Sequence, residues 1–206
     1  PATKILQKRL KGDGKRHYHY RYLTGLYPEG DALLDLFIHP LDYATFLFGE
    51  AKIKSWDIIR SRDGGQTLFI VLEHQDITGL LELSTDYSWQ KAEELLSIST
   101  DKGLYVLDRM EQLDFTPRRS AVLGVPLEKI FRNNTTVVNL YGRNGFVPMI
   151  GNNQIVSQGL FSEIKTFADM VENRYETNHT LGIESVSHVY SLMSEIKKYM
   201  KAIGVH

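Results

Sequence analysis

The sequence predicts an α+β fold: a large open, mostly antiparallel β-sheet with helices packed on one face. Two patterns predict it. Strand-like segments follow one another through the middle of the chain with no helix between them, which favours antiparallel pairing over βαβ units. Segments with helical apolar spacing lie before this run and close the chain after it. With 206 residues, 42% hydrophobic and 11% aromatic, the chain has enough apolar surface to bury a core.

The elements follow in order. Ala2–Leu10 sets Ile5, Leu6 and Leu10 on one side among lysines, a short helix stopped by the turn Gly12-Asp13-Gly14. His17–Leu23 alternates strictly, with Tyr18, Tyr20 and Tyr22 facing one way and His17, His19 and Arg21 the other, which is strand spacing. Asp31–Phe48 reads as a helix ended by Gly49 in a left-handed cap. Lys52–Ser61, Thr67–His74 and Gly79–Thr85 are rich in strand formers, and Asp63-Gly64-Gly65 turns the first into the second. Leu95–Thr100 and Leu104–Leu107 form a hairpin across Asp101-Lys102-Gly103, and Val137–Tyr141 is a last strand. Thr116–Arg132 holds Pro117 and Pro126 and reads as a long loop with a short helix. Leu160, Ile164, Phe167, Ala168 and Val171 recur at helical spacing, as do Val186, Val189, Tyr190, Met193, Ile196 and Met200. No composition break divides the chain, so a single domain over residues 1–206 is expected.

Composition excludes several classes. The 24 Lys+Arg and 25 Asp+Glu leave a net charge of -1, which argues against nucleic acid, although His17–Tyr22 mixes bases with aromatics as single-strand binders do. No apolar run is long enough for a membrane span, and the basic start has no apolar stretch behind it, so no signal peptide is expected. The absence of cysteine removes disulfides, thiolate nucleophiles and Cys-type zinc sites, and fits a cytoplasmic protein. No third ligand accompanies His17 and His19, so no metal site is expected. No Gly-x-Ser-x-Gly elbow of a serine hydrolase occurs.

Gly30–Glu50 carries the chemistry. At about 100° per residue, Asp31, Asp35, His39 and Asp42 fall within an arc of roughly 80° on an otherwise apolar helix. Such a helix is expected to be mostly buried, with its narrow polar stripe lining a cleft. Asp35 and His39 are spaced to meet, and a carboxylate beside an imidazole suits a general acid–base; the alternative is favourable N-terminal acids and a satisfied core histidine. Pro40 removes a backbone donor and crowds the carbonyl of Leu36, so a kink is expected beside His39. His17, His19 and Arg21 share a face of the strand leading into this helix. His19 and Arg21 are therefore candidates to touch substrate hydroxyls or carboxylates, as is Asp31; the alternative is the exposed face of an edge strand.

The segment resembles the substrate-domain helix of the Gfo/Idh/MocA oxidoreductases, the family of glucose-fructose oxidoreductase and inositol dehydrogenase. That pattern is Gly-Gly, a short apolar stretch, Asp, three residues, His, an Asp three further on, and a Leu/Phe-Gly ending. Gly30, Asp35, His39, Asp42, Leu47, Phe48 and Gly49 match it, whereas Asp31 replaces the second glycine and Phe37 a small residue. The resemblance implies a glyceraldehyde-3-phosphate dehydrogenase-like C-terminal domain whose N-terminal Rossmann partner is absent from these 206 residues. It implies an NAD(P)-dependent oxidoreductase acting on a sugar, sugar-acid or cyclitol hydroxyl, with His39 as acid–base, Asp35 orienting it and a lysine supplied by the missing domain. NAD or NADP would serve the full-length protein, and the chain alone would bind no cofactor and be inactive. Homo-oligomers would form through the open sheet face. The alternative is a non-catalytic member that binds or senses a sugar-like ligand; some members are virulence-related and lack an assigned substrate. Gly142-Arg143-Asn144-Gly145 follows a strand but leads into Phe-Val-Pro, so it is not expected to hold phosphate. The start at Pro1 without methionine is read as the trace of a cut.

Overall fold

The computed structural model describes residues 1–118, 121–126, 129, 137–143, 160–172 and 183–202. The chain divides into a unit of Ala2–Gly142 and a second of Arg143–His206 with Pro1. Of the long loop and short helix expected over Thr116–Arg132, much lies outside the described residues, as does the Asn144-Gly145 end of the rejected glycine turn.

In the first unit, α1 (Ala2–Leu10) leads to β1 (Lys15–Leu23). A π-helical turn over Leu33–Phe37 then runs into α2 (Ile38–Phe48). The remaining strands are β2 (Ala51–Arg60), β3 (Gln66–His74), β4 (Thr78–Ser84), β5 (Glu93–Thr100), β6 (Gly103–Asp108), β7 (Gln112–Pro117), β8 (Ala121–Val122), β9 (Val125–Pro126) and β10 (Val138–Gly142). All but β8 and β9 join one eight-stranded sheet in the order β10-β7-β6-β5-β1-β4-β3-β2. Only β1 and β4 run parallel; the other neighbours are antiparallel, as the uninterrupted run of strands implies.

Register shows which face carries the core. Tyr18 lies opposite Gly79 on β4 and Ile98 on β5, and Tyr20 opposite Leu81 and Leu96. These rows continue through Leu68, Ile70 and Leu72 on β3, and all are buried. Each large side chain so buried contributes about 1.5–3 kcal/mol. Both α1 and α2 cover this face: Phe48 stacks on Tyr18 with centroids 4.5 Å apart, and the Tyr43 hydroxyl donates to Thr3 Oγ1 at 3.1 Å.

His74 ties these parts together. Its Nδ1 lies 2.7 Å from the Gly49 carbonyl, an acceptor, so Nδ1 carries the proton. Its Nε2 then accepts from the Tyr18 hydroxyl at 2.8 Å. Gly49 ends α2 at φ 85°, where a side chain would be strained.

Four expectations are revised. The single helix over Asp31–Phe48 opens with a π turn just before Pro40, where the wider turn accommodates a residue that cannot donate to the preceding turn. That helix is less buried than expected: Leu33, Phe37, Pro40, Leu41 and Ala44 face inward, whereas Leu34 and Phe46 are exposed. β7 occupies residues placed outside the strand run, and its partner β10 gives the sheet an edge. Part of the expected loop is the small hairpin β8–β9, turned by Leu123 and Gly124, both at positive φ as a type I′ turn requires.

The opposite face of the sheet is left open within this unit. It shows His19, Arg21, Phe69, Val71, Leu80 and Val106 half-buried, with Ile59 and Leu104 exposed. In the second unit, α3 (Leu160–Val171) and α4 (Ile183–Ala202) appear where the spacing placed them. Val189, Leu192, Met193 and Ile196 of α4 are buried, whereas Phe161, Ile164, Phe167 and Val171 of α3 are exposed.

Gly79 leaves the space that the Tyr18 ring fills, and a Cβ there would fall inside the ring. Gly79→Ala should destabilise the fold by about 3 kcal/mol, and Tyr18→Phe by about 1–2 kcal/mol through the orphaned His74 acceptor, both read from denaturant midpoints.

Candidate active site

Asp31, Asp35, His39 and Asp42 all reach solvent on the outer side of the helix, as their shared arc requires. Their partners differ from those the spacing suggests. Oδ1 of Asp31 accepts from the amides of Leu33 at 3.0 Å and Leu34 at 3.2 Å, capping the helix start. Its carboxylate thus does the structural work of an N-terminal acid.

Asp35 sits in the π turn next to the Tyr27 hydroxyl. Tyr27 is placed by the loop after β1: Trp89 Nε1 donates to the Leu26 carbonyl at 2.8 Å, and the Tyr27 and Trp89 rings lie 6.5 Å apart. Gly30 makes room for this contact, since a Cβ there would fall on Asp35 Oδ2. No hydrogen bond joins Asp35 to His39 among the described residues. The wide turn separates a pair that regular α-helical spacing would bring together.

His39 instead acts on two other carboxylates, Asp42 one turn along α2 and Glu94 on β5. Burial raises Asp42 above the ordinary carboxylate range, and the positive field of His39 opposes the shift. Glu94 lies opposite Tyr22 in register and accepts from the buried Tyr20 hydroxyl at 2.8 Å. Burial raises its carboxyl, opposed by the Tyr20 hydrogen bond and then by His39, while Asp108 adds to the rise. Tyr43, one turn after His39, packs edge-on to Tyr20 at 6.1 Å, and burial pushes its hydroxyl up to about 12. The result is an exposed imidazole on α2 whose charge reaches a β5 carboxylate that Tyr20 holds. Sequence reading passed over Glu94, yet it alternates in phase with Leu96 and Ile98, which marks it as a carboxylate on an inward face.

His19 and Arg21 are not beside this cluster. The tyrosines of β1 take the helix-covered face, so His19 and Arg21 point to the open one. There Glu82 lies 3.5 Å from His19 and 3.3 Å from Arg21, and Glu93 lies 2.6 Å from Arg21. As candidates for substrate contact they lie apart from His39: the sheet separates them, and Glu82 and Glu93 lie against them.

The chain has a strand, a glycine-containing loop and a helix in β1, residues 24–32 and α2, so its fit to a dinucleotide can be judged. It does not fit: Asp31 places a carboxylate on the helix amides that a pyrophosphate would need.

No family profile matches the chain, and no curated protein sequence does. Solved structures do. The MviM dehydrogenase of Clostridium difficile aligns at TM-score 0.69 and 15% identity over 97% of this chain and 58% of its own. UDP-N-acetylglucosamine 3-dehydrogenase GnnA of Acidithiobacillus ferrooxidans gives 0.63 and 14% over 95% and 56%. A Gfo/Idh/MocA family oxidoreductase of Vibrio cholerae gives 0.59 and 16% over 97% and 58%. The fold is that of a Gfo/Idh/MocA C-terminal domain. The chain spans less than two thirds of each of these dehydrogenases.

The raised carboxyl of Glu94 has a testable sign. Between the ordinary glutamate pKa and the raised one, the folded state binds more protons than the unfolded state. Stability therefore falls as pH rises through that window and levels above it. Glu94→Gln, which still accepts from Tyr20, should flatten this fall in denaturant midpoints taken from about pH 4 to about pH 8.

Proposed function

We propose that the chain is the substrate-binding domain of an NAD(P)-dependent oxidoreductase acting on a sugar, sugar-acid or cyclitol hydroxyl or its carbonyl. One observation supports the reading: on a fold shared with dehydrogenases such as GnnA, His39 stands exposed on α2, and its charge acts on the carboxyls of Asp42 and Glu94. In the oxidative direction His39 takes the proton of the substrate hydroxyl, and Asp42 and Glu94 balance the imidazolium that forms. In reduction it returns that proton. Asp35, next to Tyr27, stands one turn away.

A nicotinamide supplies the hydride chemistry, NAD or NADP serving equally in this reading. The dinucleotide would be held outside these residues, because Asp31 occupies the helix start that could have taken its phosphates. The 206 residues by themselves would therefore not turn over. The open face, with Ile59 and Leu104 exposed among half-buried apolar side chains, fits association with a second copy. No helix among the described residues is long and apolar enough to cross a membrane.

A second reading, a non-catalytic domain that binds or senses a sugar-like ligand, is favoured by the engagement of Asp35 with Tyr27 in place of His39. One experiment separates the two. In a protein that joins this chain to a nicotinamide-binding domain, His39→Ala should lower NAD(P)H formation against a sugar panel by about 10²–10⁴-fold while ligand binding persists. Turnover indifferent to that substitution would refute the role given to His39; binding with no turnover in either form would support the sensing reading. Sedimentation of the chain should show a dimer or larger assembly, and Leu104→Lys should shift it towards monomer.

A further inference from the structure

At the start of β1 the open face of the sheet holds a cavity. Register aligns His17 with Ser99 on β5, Leu104 on β6 and Thr116 on β7, one row across four strands. Pairing slips between Lys15 and His17, so Arg16 is an extra residue in β1. Such a bulge re-aims a side chain. Arg16 and His17, which strict alternation would send to opposite faces, accordingly line one cavity of about 690 Å³. Arg118, just past the end of β7, lines it as well, with Leu104 and Pro117 as apolar members. Its charge is uncompensated. Further along the same face, His19 lies against Glu82, and Arg21 pairs with Glu82 and Glu93. Arg16, His17 and Arg118 have no ion pair among the described residues, and no described residue lining the cavity is acidic. The acids of the two adjoining turns are taken elsewhere. Asp13 pairs with Lys102 at 2.7 Å and accepts from the Tyr105 hydroxyl at 2.8 Å, and Asp101 accepts from the Gly14 amide at 2.8 Å.

We propose that this cavity binds a small organic phosphate, at a site apart from His39. Two guanidinium groups match the charge of a phosphate monoester, about −1.5 to −2 at neutral pH, and each can hold it by two parallel hydrogen bonds. A single carboxylate would leave one guanidinium without a partner. His17 adds an N–H donor, and the hydroxyls of Ser99 and Thr116 can meet the remaining oxygens. The volume exceeds what one phosphate group fills and falls within the range of small-molecule sites, so Leu104 and Pro117 would lie against the organic part. The inference does not rest on the reading of His39, which stands on the helix covering the other face of the sheet.

Calorimetric titration of the 206-residue chain with glucose 6-phosphate at low salt tests this. The dissociation constant should be about 1 mM or tighter, and binding should weaken as salt rises. Arg16→Ala and Arg118→Ala should each weaken it about tenfold, and Arg16→Lys should recover only part of the loss. Both arginines are exposed, so their variants should fold as the parent does. Lys54→Ala, which removes an exposed cation on β2, should leave binding unchanged, as should His39→Ala. Citrate should bind more weakly than the phosphate ester. No binding, or binding that survives both arginine substitutions, would overturn the site. So would a loss as large in Lys54→Ala, which would mark general surface charge, or a loss confined to His39→Ala. Citrate held as tightly as glucose 6-phosphate would refute the assignment to phosphate. Arginine variants that shift sedimentation towards monomer while phosphate binding stays intact would show a second copy filling the cavity, and would sink the proposal.

Discussion

The arrangement of the first unit depends on how Tyr18 is seated. Its ring stacks beneath Phe48, its hydroxyl is held by His74, and the same His74 holds the Gly49 carbonyl at the end of α2. One buried side chain thereby fixes the last turn of the helix to the middle of the sheet. The arrangement demands that β4 offer no side chain opposite the ring, and Gly79 meets that demand. The seating of α2 follows from this anchorage, since the helix is pinned at its C-terminal end over β1.

The two faces of β1 divide the labour of the sheet. On the helix side, tyrosines bury their rings and leave one hydroxyl to hold Glu94. On the other side, Arg21 pairs with Glu82 and Glu93, and His19 lies against Glu82. Partly exposed pairs of this kind contribute little to stability, about 0–1 kcal/mol each. They set charged groups on a face whose other side chains are largely half-buried and apolar. The candidate site draws nothing from them, which is why a strand with strict alternation can serve a core and an exterior at once.

Much of this was legible in the sequence. The hairpins announced themselves through Asp63-Gly64-Gly65 and Asp101-Lys102-Gly103, and the helices through their apolar spacing. Alternation along β1 gave two faces but not which one the helix covers; the greater apolar area of three tyrosines, against histidine and arginine, was the cue that decides it. The π turn was hidden because periodicity assumes a constant angular step, and Pro40 marked only that something must give way. β7 was hidden by the brevity and polarity of Gln112–Pro117. Glu94 was hidden because its partner Tyr20 lies 74 positions away, a distance at which no local pattern speaks. Local spacing suggested an Asp-His pair, and the long-range pairing of strands supplied a different carboxylate.

The position of β1 also bears on how the chain folds. β2, β3 and β4 form one meander of local hairpins, and β5, β6 and β7 another to which β10 adds, while β1 alone pairs with both. The strand made first in the sequence can thus find its partners only after residues 78–100 exist. Its contacts are among the most distant in the sheet, and contacts of that kind make folding slow. Until β1 inserts, each meander exposes an unpaired edge, the kind of surface on which other chains add strands. During synthesis, then, the tyrosine strand waits longest, and the span before its insertion is the chain's period of greatest exposure to aggregation.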